Sequence, residues 1–400
     1  MATLPPLAHR VGSYRPSKVR EVFAQANAPG MISLAGGAPF LGDLPFGELA
    51  TQASSILTEQ GAVALQYSFG VGLPRLRQQI ADVMALEGMD VDPDDVIVTA
   101  GSQLALEAIC KVMVDPGDVV ITEGPCYAGG LSAVMSYDTD VRHAETDDDG
   151  LVIDKLAAQI DELIARGKTV KMVYAIPTFQ NPGNTVLPPE RRQALVQLCS
   201  DRGILLIEDN AYGLLGFDGE TVRAMKADAP EQVAYLGSFS KMFGPGLRLG
   251  WIVPPRELVG VLKDTVETFI LNPPTMGQLQ MSAYLDGYDW QGLLERMRAL
   301  YERRCDTLIA ALRGSMPASV TWQRPRGSFY LWVKLPEGLD SEDLMVKAMA
   351  RGVVFVPGTA FYIDGQGHDR MRLSYCLPTE EQLTKAGTIL GELITEELAR

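Results

Sequence analysis

Histidine and cysteine are scarce in this chain: three histidines (His9, His143, His368) and five cysteines (Cys110, Cys126, Cys199, Cys305, Cys376) stand among 400 residues. The histidines are far apart and form no H-E-x-x-H, which argues against histidine-based zinc catalysis and leaves them as surface or capping residues. The cysteines are odd in number and never form C-x-x-C, so neither a disulfide framework nor a zinc ribbon is indicated, and a reducing cytoplasm fits. Positive charge is also in short supply. Lys plus Arg total 35 against 50 Asp plus Glu, and the resulting net charge of -15 repels nucleic acid and anionic membrane surfaces. No apolar run approaches the roughly 20 residues of a membrane helix, and the N-terminus lacks a signal peptide's hydrophobic centre, so a soluble protein is expected. Arg10, Arg15, Lys18 and Arg20 precede any acid and permit a transit-peptide reading; the prolines and the short length favour an ordered N-terminal arm.

The apolar content is ample. With 46% hydrophobic and 21% charged residues, the chain suits a large buried core and more than one domain. From about residue 90, short apolar runs alternate with helical periodicity: "DVIVTAG", "SQLALEAICKVMV", "DVVITEGP", then "KMVYAIPT", "RRQALVQLCSDRG" and "ILLIEDNAYG". This is the pattern of an α/β fold, a mostly parallel sheet covered by helices on both faces, whose strands need near-continuous Val, Ile and Leu. "VAYLGSFSK" and "RLGWIVPP" continue it, followed by a helical stretch from Pro255 to Leu312 broken at "LNPPT" and "DGYDW". "GSFYLWVKLP", "GVVFVPG" and "RMRLSYC" read as strands of a smaller α+β unit. The expected division is an arm with part of the small domain over 1–45, a large domain over 46–285 and the small C-terminal domain over 286–400. No repeat or low-complexity linker separates them.

Ligands of parallel α/β sheets sit beyond the carboxyl ends of the strands, so the polar residues after each apolar run matter. Gly101-Ser102-Gln103 opens a helix; Tyr127, Asn181, Asp209 and Tyr212 follow later runs; Ser238-Phe239-Ser240-Lys241 follows "VAYLG", with Arg248 seven positions beyond the lysine. Backbone N–H groups at a helix start suit a phosphate, and Arg248, Ser238 and Ser240 add donors to the same dianion. Tyr127 offers a flat ring, Asp209 a carboxylate, and Lys241 an amine suited to imine chemistry. A phosphorylated aromatic aldehyde uses all of them, and pyridoxal 5'-phosphate (PLP) is such a molecule.

"SFSKMFGPGLRLGW", "QNPGN" and "EDNAYG" together resemble the PLP-dependent aminotransferases of fold type I, class I/II, and "SKVREVF" and "ISLAGGAP" resemble the branch of 2-aminoadipate and kynurenine aminotransferases. The resemblance spans nearly the whole chain. It implies that Lys241 binds the cofactor covalently and later moves the substrate's proton as general base and acid. It implies that Asp209 pairs with the pyridinium nitrogen, that Asn181 and Tyr212 bond the ring's phenolic oxygen, and that Tyr127 stacks on the ring. Gly101, Ser102, Gln103, Ser238, Ser240 and Arg248 would hold the phosphate. Tyr67 would reach the phosphate of a neighbouring subunit in a homodimer, Arg372 would grip the substrate's α-carboxylate, Gly37 would line the substrate space and Arg20 would approach the substrate's side chain. Glutamate and 2-oxoglutarate are the expected co-substrate pair, with the cofactor cycling through pyridoxamine 5'-phosphate and no metal required.

Plainer readings stand beside these. Asp209 suits a helix N-cap, Asn181 before Pro182 suits a turn, Tyr67 suits packing, and Gly36-Gly37 suits a flexible joint. Ser238 to Lys241 also spells S-x-x-K, yet neither S-D-N nor K-T-G accompanies it. A lyase, decarboxylase or oxidase could use the same scaffold. A ligand-sensing regulator is disfavoured by the net charge and the absence of a basic helix-turn-helix extension. The family's Asn-Pro-Thr-Gly is here Asn181-Pro182-Gly183-Asn184, which leaves the loop's geometry open.

Overall fold

The protein's structure, a computed structural model, describes residues 5–13, 18–19, 21–22 and 28–400. Its largest sheet has eight strands: β2 (Ile97–Thr99), β3 (Val119–Gly124), β4 (Asp140–Asp147), β5 (Gly150–Leu151), β6 (Val170–Ala175), β7 (Leu205–Asp209), β8 (Val233–Ser238) and β9 (Gly250–Val253). Their spatial order is β2-β9-β8-β7-β6-β3-β4-β5. The pairs β8/β7, β7/β6, β6/β3 and β3/β4 are parallel, whereas β9 runs antiparallel to both β8 and β2. A parallel return would need a crossover of a dozen or more residues; the short turn from Ser238 to Gly250 permits only an antiparallel one.

Every residue of β7, β8 and β9 is buried, as strands covered on both faces require. Side chains alternate between two apolar layers. Val120, Ile207 and Leu236 pack with Leu106, Ile109 and Leu262 of helices Ser102–Met113 and Arg256–Ile270. Val119, Val173 and Leu206 pack on the opposite side with Leu156, Ile160 and Leu195 of helices Ile153–Ala165 and Pro189–Arg202. The long helical stretch divides where the sequence breaks it, into Arg256–Ile270, Thr275–Gly287 and Trp290–Ser315.

A second sheet is antiparallel, with β10 (Thr321–Trp322), β11 (Tyr330–Lys334), β14 (Arg370–Ser374) and β13 (Val356–Pro357) in that order. β1 (Ile32–Ser33) pairs in parallel with β12 (Val353–Val354), which ties the chain's start to this C-terminal unit. "GVVFVPG" is therefore two strands rather than the single one expected. The chain changes partners at the fully buried Phe355, leaving Val353 and Val354 to β1 and Val356 to β14.

Candidate active site

The carboxyl ends of β6, β7 and β8, the start of helix Ser102–Met113 and residues of β11 and β14 enclose a cavity of about 330 Å³. Lys241 stands on its wall in the turn after β8, and its Nζ donates to the carbonyl of Gly37 at 2.8 Å. Burial lowers this amine to a pKa of about 8, and Arg372 and Arg248 add to the fall while Cys376 and Asp209 oppose it. A sizeable neutral fraction follows at physiological pH, so the nitrogen has a lone pair for nucleophilic or proton-transfer work.

Asp209 ends β7 and is buried. Its Oδ2 accepts a 2.6 Å hydrogen bond from Tyr174 Oη, while Oδ1 is buried with no partner. Burial pushes Asp209 up to about 6 against the pull of the Tyr174 hydrogen bond and the Lys241 charge, so it remains mainly anionic at pH 7. An unpaired buried carboxylate oxygen is costly to leave unmatched, and here it belongs to a residue lining the cavity.

A cradle of anion-binding groups also lines the cavity. Helix Ser102–Met113 begins after Gly101, whose φ of +90° is open to glycine and strained for other residues. A Cβ on Gly101 would collide with the Arg248 guanidinium, which donates to Ala100 O at 3.1 Å. One on Gly250 would come within 2.5 Å of Ser102 N. These two glycines let Arg248 and the helix's free N–H groups stand side by side, an anion site of matched charge and dipole. Ser238 Oγ accepts from Ser240 N at 3.1 Å and lies 2.9 Å from Ser240 Oγ, which aligns both hydroxyls along the same wall. Tyr127, immediately before helix Ala128–Met135, also lines the cavity.

Arg372 occupies the centre of the smaller sheet, paired with Trp332 on one side and Val356 on the other. Its buried guanidinium donates to Asn181 Oδ1 and to Ala35 O, both at 2.9 Å, and stacks 4.1 Å from the Tyr330 ring centroid and 4.8 Å from that of Phe361. Its Nε has no partner. Met371 and Leu373 turn into the apolar core, so the expected alternation holds.

Twelve of the sequence-derived residues line this one cavity: Gly37, Ser102, Gln103, Tyr127, Asn181, Asp209, Tyr212, Ser238, Ser240, Lys241, Arg248 and Arg372. Gly101 is not among the residues lining the cavity; it lies against the Arg248 guanidinium at the start of helix Ser102–Met113. Tyr67 is 76% exposed and lies away from the cavity of its own chain. Arg20 falls outside the described residues. Its neighbour Val19 reaches the cavity.

The open question at Gly183-Asn184 resolves simply. Asn184 adopts φ +58°, a region asparagine tolerates, and its Nδ2 donates to Gly327 O at 2.9 Å and Tyr330 O at 2.7 Å. The altered loop is tied to the start of β11. Sequence reasoning passed over Tyr174, Tyr330 and Glu87. The signal for Tyr174 was a phenol in the apolar run Met172–Ala175 of β6, whose hydroxyl needs a partner once buried.

The family model for aminotransferases of class I and II matches residues 30–390. The chain belongs to this family. Among curated relatives, this aminotransferase is 34% identical over 386 residues to aromatic-amino-acid aminotransferase 1 of Thermococcus litoralis, covering 96% of this chain and 93% of the relative. It is 34% identical over 393 residues to the 2-aminoadipate transaminase of Thermus thermophilus, covering 97% and 96%. Among solved structures, the kynurenine aminotransferase of Pyrococcus horikoshii, in complex with pyridoxamine phosphate and kynurenine, superposes with a TM-score of 0.92 at 33% identity over 98% of this chain and 97% of that one. The aminotransferase thus has the PLP fold type I architecture and moves an amino group between an amino acid and a 2-oxo acid, with PLP and pyridoxamine phosphate as the two cofactor forms. The residues present fit that group: a free carboxylate oxygen on Asp209, an amine of lowered basicity at Lys241 and a glycine-floored anion cradle. Among the described residues, no cluster suits a metal ion and no helix is long and apolar enough to cross a membrane.

Proposed function

We propose that Lys241 is the covalent attachment point and proton carrier, Asp209 the partner of the ring nitrogen, and Arg372 the receptor of the substrate's α-carboxylate. The observation that carries the assignment is the pairing, in one cavity, of an amine depressed to about 8 with a buried carboxylate oxygen that has no partner. Bound there, PLP supplies an aldehyde carbon that takes the amino group and a ring that withdraws electrons from the substrate's α-carbon. The chain's own residues do the rest. Arg372 Nε and the adjoining guanidinium face bind the carboxylate, aided by the flanking Tyr330 and Phe361 rings that hold the fork in place. Lys241 Nζ, neutral in part, accepts the α-proton and returns it. Asp209 keeps negative charge against the ring nitrogen, and Tyr174 holds its other oxygen in register. Asn181 and Tyr212 serve the phenolic oxygen, Tyr127 the ring's face, and Ser102, Gln103, Ser238, Ser240 and Arg248 the phosphate, with Gly101 as the floor beneath Arg248.

We further propose a homodimer in the cytoplasm. Tyr67, with Leu65, Phe69 and Leu271, is more than half exposed, and a second copy covering this face would bring Tyr67 to the other subunit's phosphate. Glutamate and 2-oxoglutarate form one substrate pair. The other amino acid carries a long or bulky side chain, in keeping with the aromatic, 2-aminoadipate and kynurenine substrates of the relatives. The arm over 1–45, the large domain over 46–285 and the small domain over 286–400 are the proposed structural units.

A panel of amino acids tested one at a time without an oxo acid checks the reaction: a good donor should convert the bound cofactor stoichiometrically to pyridoxamine phosphate, and 2-oxoglutarate should restore it with release of glutamate. Loss of carbon dioxide without amination of the cofactor would overturn transamination. Lys241→Ala should lose the visible absorption of the bound cofactor and at least a thousandfold in turnover; steady turnover near the parent rate removes Lys241 from its role.

A further inference from the structure

The hydroxyl of Tyr330 has no part in the roles above, yet it sits between two of them. Tyr330 opens β11 and is 2% exposed. Its Oη lies 3.1 Å from Tyr212 Oη. The Arg372 guanidinium covers its ring, and the backbone carbonyl is held by Asn184 Nδ2 at 2.7 Å. Gly37 closes the remaining side, since any Cβ there would overlap the Tyr330 hydroxyl. The ring is thus clamped on several sides, and Tyr212 is the hydrogen-bond partner its hydroxyl meets.

The two phenols are not equivalent. Burial raises both hydroxyls and Arg372 pulls both back, but the contact between them pushes Tyr212 further up and draws Tyr330 down. Tyr127 and Cys376 also face the pair, and Lys241 and Asp209 stand on the same cavity wall. The more acidic phenol is the better donor. A hydroxyl that accepts one hydrogen bond becomes a stronger donor through its own proton. Tyr212 then has its proton free for the cavity it lines.

We infer that Tyr330 is a positioning residue of the transamination site, donating to Tyr212 so that the Tyr212 proton is aimed at the cofactor's phenolic oxygen. The inference rests on the proposed role of Tyr212. Arg372 belongs to the same arrangement: the guanidinium that receives the carboxylate also polarises Tyr330, so the carboxylate site and the phenolic-oxygen site share one aromatic ring.

The test is the pH midpoint of the visible absorption change of the PLP-loaded protein, measured without substrate. A donor to the phenolic oxygen takes up part of that oxygen's negative charge and weakens its hold on the proton of the neighbouring lysine nitrogen, so loss of the donor raises the midpoint. Tyr212→Phe should raise it, and Tyr330→Phe, which keeps the ring beneath Arg372, should raise it by roughly half a pH unit. The double variant should match Tyr212→Phe alone, because the outer hydroxyl acts only through the inner one. Tyr330→Met is the second variant, with a shift in the same direction. A Tyr330→Phe midpoint equal to the parent's while Tyr212→Phe shifts, or an additive shift in the double variant, overturns the inference alone. No shift in Tyr212→Phe overturns the Tyr212 assignment and the inference with it.

Discussion

Glu87 is 4% exposed, and its two oxygens accept hydrogen bonds from Asn210 Nδ2 at 2.7 Å and Tyr235 Oη at 2.5 Å. Burial raises its carboxyl to about 8 and nearby Glu208 adds to the rise, against the pull of the two hydrogen bonds and Arg192. The folded protein therefore holds a proton there at pH 7 that the unfolded chain, titrating near 4.5, has released. Stability tied to this proton is fully present below about 4.5 and falls as pH rises toward about 8, with a slope of about 1.4 kcal/mol per pH unit for one proton. Glu123, also raised to about 8 by burial, acts in the same sense. Glu87→Gln removes one of these protons from the balance. Urea unfolding at fixed protein and cofactor concentrations should show a shallower loss of stability between pH 5.5 and 7.5, by about 1 kcal/mol per pH unit; a slope equal to the parent's would mean that Glu87 is ionised in the folded state. The same residue scale explains why Lys241 and Asp209 were legible in the sequence and Glu87 was not. The first two follow apolar runs at strand ends, where topology puts ligands. Glu87 follows a helix in "LEG" and resembles an exposed helix end, and its burial comes from Asn210 and Tyr235, 123 and 148 residues away.

Between elements, Asn184 ties the loop after β6 to the start of β11 by hydrogen bonds. Asn184→Ala loses both of its hydrogen bonds to backbone carbonyls and places alanine at φ +58°, so a cost of about 2 kcal/mol is expected. Asn184→Gly loses the same bonds without the strain and should cost less. Chemical denaturation of the two variants checks the order, and a Gly variant weaker than the Ala variant would refute the strain argument. The elements themselves were read well from periodicity, down to the breaks in the stretch from 255 to 312, because continuous apolar runs and helical spacing carry strong signals. The Asn184 tether carries no such signal: asparagine in a turn is ordinary, and only the fold brings Gly327 and Tyr330 within its reach. Tyr174 and Tyr330 were hidden for a related reason, being aromatic residues in apolar strands where burial and function look alike.

For the whole molecule, the mostly parallel sheet and a smaller α+β unit both followed from the order of apolar runs, whereas the antiparallel pairing inside the smaller unit is seen only in the fold. Pairing of β1 with β12 across 321 positions did not follow, since two residues set no periodicity. The exposed face around Tyr67 makes its own prediction: sedimentation should give twice the chain mass, and Tyr67→Ala should weaken PLP binding about tenfold, the loss of one hydrogen bond to a charged group. A monomer that binds PLP at parent affinity would refute the shared site.

Strand β9 has a further implication for how the enzyme comes into being. β2, which leads into the helix that would receive the phosphate, touches the sheet only through β9, made of residues 250–253. A nascent polypeptide cannot complete that anchor point until position 253 of 400 has left the ribosome, so vitamin capture cannot begin before well over half of the chain has been made.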